Sequence, residues 1–107
     1  MAKFKISKRT NGEFQFNLVA NNGEIILTSE GYSSRAGCDN GIASVRQNAP
    51  QDGNYLRKKS SDGKSYFNLR SGNNQVIGTS EMYESAVSME KGIASVKANA
   101  AGAIVEG

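Results

Sequence analysis

The sequence contains no histidine, and it has a single cysteine, Cys38, and a single proline, Pro50. Without histidine, Ser-His-Asp and Cys-His catalysis and histidine-ligated zinc sites are excluded. One cysteine cannot form an internal disulfide, which is typical of a reducing compartment. The composition therefore predicts a protein that is not an enzyme, has no catalytic residue and binds no metal or cofactor.

Long hydrophobic runs are also missing, and the charge is modest. Apolar runs reach only three or four residues, so no segment could span a bilayer. Residues 1–10 alternate charged with apolar side chains and lack the apolar stretch of a signal peptide. A net charge of +3 is a weak signal for nucleic-acid binding. We expect a cytoplasmic protein that does not contact membranes.

An internal repeat organises the chain. A shift of 51 positions aligns residues 4–49 with residues 55–100 without a gap, and 19 of the 46 aligned pairs are identical. Each copy alone is so short that its folded state would be marginal. We therefore predict a single domain, 1–107, in which repeat one (1–50) and repeat two (51–107) share one core.

Each repeat has the pattern of three strands followed by a helix. Alternating apolar residues predict strands at about 3–8, 13–20 and 24–29, joined by short turns such as Asn11-Gly12. Strands joined by short turns pair antiparallel. The prediction is an α+β fold, a tandem repeat of two βββα units that share an antiparallel sheet with both helices on one face. The tail at 103–106 is predicted to be a short C-terminal edge strand.

The helices are predicted from their caps and their apolar stripes. Ser34 and Ser85 are suited to N-cap positions. The expected core consists of helix and strand residues that recur in both copies: Cys38, Ile42, Val45, Ala49, Met89, Ile93, Val96, Ala100, Phe16, Leu18, Phe67 and Leu69. Cys38 aligns with Met89 and has no basic partner, which favours a packing role over a nucleophilic one.

Glycines in the middle of both helices call for a separate explanation. Gly41 and Gly92 align with each other, although glycine costs a helix interior about 1 kcal/mol relative to alanine. We predict that each helix approaches the sheet closely at its glycine. A backbone exposed to a ligand is the alternative.

Two further motifs carry a family resemblance. Residues 23–32 read G-E-x-x-x-T-S-E-x-Y, and residues 40–45 read N-G-I-x-S-V. With both copies included, the chain resembles the YegP-like family, small bacterial proteins also known as uncharacterised protein family 0339. Copy two departs from the pattern at Asn74-Gln75 and at Lys91. The resemblance implies two βββα units in one sheet and implies no catalytic residue. It leaves open whether the two units exchange their C-terminal strands.

The candidate binding residues are Glu30 and Tyr32 in copy one, and Glu81 and Tyr83 in copy two. One interpretation is helix entry, in which hydroxyls and a carboxylate bond the first-turn N–H groups and the tyrosine packs as a lid. The other interpretation is a pair of pseudo-symmetric binding sites. The two carboxylates could also act as general acid and base.

Three functions follow, in order of preference. The first is a non-enzymatic binding or accessory domain, active as a monomer, whose partner is an unknown protein or small molecule. The second is a nucleic-acid-associated protein that uses the basic first strands, which contain Lys3, Lys5, Lys8, Arg9 and residues 57–59. For these cations, solvated sheet edges that discourage strand pairing are the simpler interpretation. The third function is an enzyme with carboxylate chemistry.

Overall fold

The strands and helices follow one another in the order that the repeat predicts. A computed structural model describes all residues, 1–107. Its elements are β1 (Lys3–Lys8), β2 (Phe14–Val19), β3 (Ile25–Ser29), α1 (Arg35–Asn48), a 3₁₀ turn (Asp52–Asn54), β4 (Tyr55–Lys59), β5 (Ser65–Arg70), β6 (Val76–Thr79), α2 (Ala86–Asn99) and β7 (Ile104–Glu106). The α+β class and the βββα repeat are confirmed.

One sheet of seven strands contains both repeats, in the order β4-β5-β6-β3-β2-β1-β7. Within each repeat the three strands form an antiparallel meander. The repeats join where β3 pairs antiparallel with β6, with Thr28 opposite Thr79. Because Thr79 is the repeat counterpart of Thr28, an approximate twofold axis passes through this pair.

The C-terminal strand departs from the prediction of a wholly antiparallel sheet. β7 lies at the edge, as predicted, but it runs parallel to β1. β7 follows α2 and is not joined to β1 by a tight turn. A tight turn would make the two strands antiparallel, whereas a longer connection allows parallel pairing. A strand of repeat two thus covers the first strand of repeat one, and β1 is not the exposed edge that its lysines suggested.

Both helices begin as predicted and lie on the same core. The Ser34 hydroxyl accepts the Gly37 N–H at 3.0 Å, and the Ser85 hydroxyl accepts the Ser88 N–H at 3.1 Å. Helix α1 packs on β2 and also on β5 and β6 of the other repeat, whereas α2 packs on β5 and on β3. Neither helix has the length and the apolar character that crossing a membrane requires.

A single buried cluster holds the apolar residues of both repeats. Every core residue predicted from the sequence is in it, and none is more than 5% exposed. Cys38 is fully buried, and this burial raises the pKa of its thiol, as expected for a packing residue. The walls of this cluster come from both halves of the chain, so the hydrophobic burial that stabilises one repeat depends on the other.

A repeat position near the twofold axis is occupied differently in the two copies. Leu27 and Gly78 are sequence counterparts, and they also contact each other across the β3–β6 junction. A Cβ atom on Gly78 would lie 2.7 Å from the Leu27 Cγ atom, well inside van der Waals contact. The site therefore holds one leucine side chain and not two.

Candidate functional site

Tyr32 and Tyr83 are fixed at the entrance of their helices by the sheet. The Tyr32 N–H donates to the Phe14 carbonyl at 2.8 Å, and the Phe14 N–H donates to the Tyr32 carbonyl at 2.7 Å. Tyr83 and Ser65 make the same two bonds in repeat two, at 2.7 and 2.8 Å. These bridges hold each tyrosine ring over the first half of the helix that follows it.

The mid-helix glycines make room for these rings. A Cβ atom on Gly41 would lie 2.3 Å from the Tyr32 hydroxyl oxygen, and one on Gly92 would lie 2.3 Å from that of Tyr83. The prediction that the helices approach the sheet at their glycines is therefore wrong, because the close neighbour is a tyrosine. The Tyr32 ring also stacks on Phe16, with centroids 6.3 Å apart.

The hydroxyls of both tyrosines make no hydrogen bond within the protein. Burial raises the pKa of Tyr32, and the nearby Cys38 and Glu30 raise it further. Burial likewise raises the pKa of Tyr83, with smaller contributions from Glu24 and Glu81. Each phenol is therefore protonated at neutral pH and has a donor available for a ligand.

The serines of the Thr-Ser-Glu motif have a structural role. The Ser29 hydroxyl accepts the Phe16 N–H at 2.9 Å and donates to the Glu30 carbonyl at 2.8 Å. Ser80 does the same with Phe67 and Glu81, at 3.0 and 2.8 Å. These buried serines satisfy backbone groups where the strand leaves the sheet, which accounts for their identity in the two copies.

The carboxylates do not take part in helix entry. The side chains of Glu30 and Glu81 are exposed and make neither a hydrogen bond nor an ion pair, so that part of the helix-entry interpretation is wrong. Because Thr28 lies opposite Thr79, the two glutamates leave the axis in opposite directions, about 13 Å apart along the strands. They line no common cleft and do not form a general acid–base pair.

Two separate clefts lie where the helix of one repeat faces the β-turn of the other. The first, which we call the Tyr32 cleft, has a volume of about 610 Å³ and lies between α1 and the β5–β6 turn. Its polar lining includes Glu30, Tyr32, Asn40, Ser44, Asn73 and Gln75. The second, the Tyr83 cleft, has a volume of about 280 Å³ and lies between α2 and the β2–β3 turn. Its polar lining includes Tyr83, Ser88, Lys91, Ser95, Asn22 and Glu24.

The clefts are related by the repeat but differ in charge. A tyrosine, a glycine, a serine and an asparagine occupy equivalent positions in both. Asn40 and Gln75 of the Tyr32 cleft are replaced by Lys91 and Glu24 in the Tyr83 cleft. Of the four residues predicted from the sequence, three line a cleft and Glu81 does not. The cross-repeat walls were missed, although the identical Asn22 and Asn73 were a signal for them.

The basic first strands are partly neutralised within the protein. Arg57 pairs with Glu90 at 2.6 Å and with Asp52 at 3.0 Å. Lys3 pairs with Glu106 at 3.1 Å, and Arg9 pairs with Glu13 at 3.6 Å. Lys5, Lys8, Lys58 and Lys59 have no acidic partner. The unpaired cations lie on two distant strands, β4 at one edge of the sheet and β1 next to the other edge. They therefore do not form one basic patch.

Alanine at Gly41 is expected to destabilise the protein by about 1–3 kcal/mol, because its Cβ atom overlaps the Tyr32 ring. This result opposes helix propensity, which favours alanine by about 1 kcal/mol. Urea unfolding measures the difference. Gly37→Ala in the same helix is the matched control, since its Cβ atom would lie 3.3 Å from the Ser34 hydroxyl oxygen and 3.6 Å from the Tyr32 ring, and it should therefore cost less than Gly41→Ala. In a Tyr32→Ala background, Gly41→Ala should become stabilising, and continued destabilisation there would contradict the assignment.

Alkaline pH is expected to destabilise the fold. Burial raises the pKa values of Tyr32, Tyr55 and Tyr83 above their ordinary value of 10.0. Groups with a higher pKa in the folded state stabilise it fully below pH 10, and this contribution is lost as the pH rises further. Urea midpoints measured from pH 8 to pH 11 should therefore fall above about pH 10. The Tyr32→Phe/Tyr83→Phe variant loses no internal hydrogen bond and should show a shallower fall, whereas an unchanged slope would contradict the prediction.

Comparison with known proteins places this architecture in a family. A family described as "Domain of unknown function (DUF1508)" matches the chain twice, at residues 10–55 and 60–106. The UPF0339 protein YegP of Shigella flexneri is 56% identical over 90% of this chain and 87% of its own. A UPF0339 protein from the ptx operon 5′ region of Stutzerimonas stutzeri is 54% identical over 91% of this chain and 87% of its own.

Solved structures agree with the fold described above. The solution NMR structure of Escherichia coli YegP, a protein of unknown function, superposes with a TM-score of 0.93 at 51% identity, covering 98% of this chain and 90% of that one. A UPF0339 protein from Shewanella oneidensis superposes with a TM-score of 0.92 at 42% identity, covering 98% and 89%. The chain belongs to the UPF0339 (YegP-like) family, as the two matches to the family of unknown function, the sequence identities and the shared fold together show.

Proposed function

We propose that this protein is a non-enzymatic binding domain that holds small polar ligands in the Tyr32 cleft and the Tyr83 cleft. The observation that carries the proposal is the pair of tyrosine hydroxyls, each without an internal hydrogen-bond partner and each beside a cleft lined by residues of both repeats. Neither hydroxyl is among the buried atoms that lack a partner, so both are accessible to solvent. Each can therefore donate a hydrogen bond to an external ligand.

The lining of the clefts indicates the ligand chemistry. The Tyr32 cleft offers hydroxyl and amide groups from Ser44, Asn40, Asn73 and Gln75, with the unpaired Glu30 carboxylate among its lining residues. Such groups recognise hydroxyls, amides and amines through directional hydrogen bonds. The Tyr83 cleft adds one charge of each sign through Lys91 and Glu24, so it favours ligands with separated charges.

We further infer that the protein acts as a cytoplasmic monomer and catalyses no reaction. Each repeat completes the core and one cleft of the other, so a second chain is not needed to form either cleft. The two carboxylates that could have formed an acid–base pair lie in separate places. Analytical ultracentrifugation at micromolar concentration tests the monomer, and a sedimentation coefficient for a dimer would contradict it.

The binding proposal is tested by NMR titration of the ¹⁵N-labelled protein with small amides, polyols and amino acids. Each compound is added at about 5 mM, because ligands of a few atoms bind only weakly. We expect amide shifts at residues 37–44 and 71–77, or at their counterparts around the Tyr83 cleft. No perturbation of either cleft by any compound would contradict the proposal.

Single tyrosine variants provide matched controls for one another. Tyr32→Phe keeps the ring against Gly41 but removes the donor, so it should weaken binding in the Tyr32 cleft alone. Tyr83→Phe should do the same for the other cleft. Losing one hydrogen bond should weaken binding by about fivefold to tenfold. Equal titration curves for the double variant and the unmodified protein would show that the hydroxyls bind nothing.

Nucleic-acid binding has less support, because Arg57, Lys3 and Arg9 are engaged by acidic residues of the same chain. Such binding would be electrostatic and would fall steeply with salt. Gel-shift experiments with mixed DNA and RNA oligonucleotides at about 50 mM salt favour detection of this kind of contact. We expect no shift, and a salt-dependent shift would make nucleic-acid binding the preferred function.

A further inference from the structure

We propose that the free edge of β4 is a docking site for an extended acidic segment of a partner protein, which would join the sheet as an additional strand. This site is separate from the two clefts. β4 is one end of the sheet, and no strand of the chain pairs with its outer side; only its first outward N–H, that of Tyr55, is bonded, by the Asp52 carbonyl of the 3₁₀ turn.

The outer side of β4 presents unpaired backbone groups. Phe67 and Ser65 of β5 direct their own N–H and carbonyl groups away from β4: those of Phe67 bond Ser80, and those of Ser65 bond Tyr83. Arg57 lies opposite Phe67, and Lys59 lies opposite Ser65. Because antiparallel pairs alternate between bonded and non-bonded, the N–H and carbonyl of Arg57 and the N–H of Lys59 point outward.

The other half of the molecule shows how such an edge is covered. β1 is the repeat counterpart of β4. β7 pairs with β1 in parallel, with Ile104 beside Lys3 and Glu106 beside Lys5. The Ile104 N–H donates to the Ala2 carbonyl at 3.2 Å. In repeat one the residues equivalent to β7 are 53–55, and they lead directly into β4 and cannot cover it. The edge of β4 is thus the uncovered equivalent of a strand-binding edge.

Charge identifies the occupant of this edge. Lys58 and Lys59 are exposed and have no acidic partner, whereas Arg57 is held by Asp52 and Glu90. Successive residues of a strand point to opposite faces, so the two lysines flank the edge on both sides of the sheet. A docked strand that meets both lysines needs acidic residues at consecutive positions.

The same cations disfavour a second copy as the occupant. Pairing β4 with another β4 would place residues 57–59 of one chain against residues 57–59 of the other, and like charges directly opposite are destabilising. Lysines on an edge strand repel neutral and basic strands in the same way. The charges of this edge therefore favour an acidic strand of another protein over a neutral strand, a basic strand or a second copy of this chain.

The test uses the whole ¹⁵N-labelled protein and the peptide acetyl-Gly-Ala-Ile-Val-Glu-Glu-Gly-amide, which extends the natural β7 sequence by one acidic residue. At about 1 mM peptide and about 50 mM salt, where charge attraction is little screened, we expect amide shifts in β4 and β5. The same peptide with both glutamates replaced by lysine should cause none. Equal shifts with both peptides, no shifts at all, or shifts confined to β1 and α1 would overturn the proposal, the last because the peptide would then be replacing β7.

Two sets of variants separate charge from backbone pairing. Lys58→Glu/Lys59→Glu should weaken binding of the acidic peptide about tenfold or more and create binding of the lysine peptide. Lys59→Pro removes an outward N–H that the sheet does not use, so the protein should still fold and binding should be lost. Lys59→Ala is its control and should bind better than Lys59→Pro. Equal binding by the proline and alanine variants would overturn the strand-addition geometry.

Discussion

Exchanging Leu27 and Gly78 is expected to restore most of the stability that either substitution alone removes. Leu27→Gly empties a fully buried site and should cost about 3–5 kcal/mol. Gly78→Leu forces a second side chain into occupied space and should cost about 1–3 kcal/mol or more. The double variant moves the leucine to its position across the twofold axis, where the space it needs has just been vacated.

Urea unfolding of the two single variants and the double variant forms a double-mutant cycle. We expect a coupling energy of about 2 kcal/mol or more, since the two side chains compete for the same space. Ile42→Val with Ile93→Val is a matched pair at equivalent positions with no such competition, and its effects should add within about 0.5 kcal/mol. Additive destabilisation by the Leu27 and Gly78 substitutions would contradict the pseudo-symmetric junction.

Truncating Ile42 or Ile93 to alanine is expected to cost about 2–5 kcal/mol in each case. Both residues are almost fully buried, at 3% and 2% exposure, and they lie in the same cluster. A small domain has about 5–15 kcal/mol of stability in total, so each change should lower the melting temperature markedly. Because the positions are equivalent and the core is shared, the two decreases should be similar.

Differential scanning calorimetry provides the measurement for these isoleucine variants. Ile25→Ala is the control, because Ile25, the first residue of β3, has the same side chain but is 39% exposed. It should cost clearly less than either core substitution, since less apolar surface is lost from the interior. A loss for Ile42→Ala as small as that of the control would place Ile42 outside the energetic core.

Features governed by local sequence were predicted correctly. The apolar alternation of β2, the helical stripe from Cys38 to Val45 and the serine N-caps each depend on neighbours within a few residues. The repeat also indicated a shared core, because a copy of about 50 residues buries too little surface on its own. Burial of every predicted core residue follows from these two facts.

Features governed by pairing between repeats were not accessible from the sequence. The sequence does not state that β3 pairs with β6, so the contact between Leu27 and Gly78 could not be predicted. The parallel direction of β7 depends on the path of α2 over the sheet. These are long-range contacts, and no short-range periodicity specifies them.

The sequence predicted the tyrosines of the site but not the cleft walls that come from the other repeat. The identity of Tyr32 and Tyr83 in both copies marked them as candidates, and both line clefts. Asn73 and Gln75, which form the opposite wall of the Tyr32 cleft, belong to the other repeat and were not identified. Gly41 was recognised as unusual, but its true neighbour, a tyrosine nine positions earlier, became visible only in the structure.

Residue-resolved urea unfolding, followed by NMR, tests most directly whether the two repeats share one core. We expect the amide signals of β2 in repeat one and of β5 in repeat two to disappear at the same urea concentration, in a single cooperative transition. Ile42→Ala should lower both midpoints equally, although the substitution lies in repeat one. Two separate midpoints, with Ile42→Ala shifting only that of repeat one, would contradict a shared core and show that the repeats fold independently.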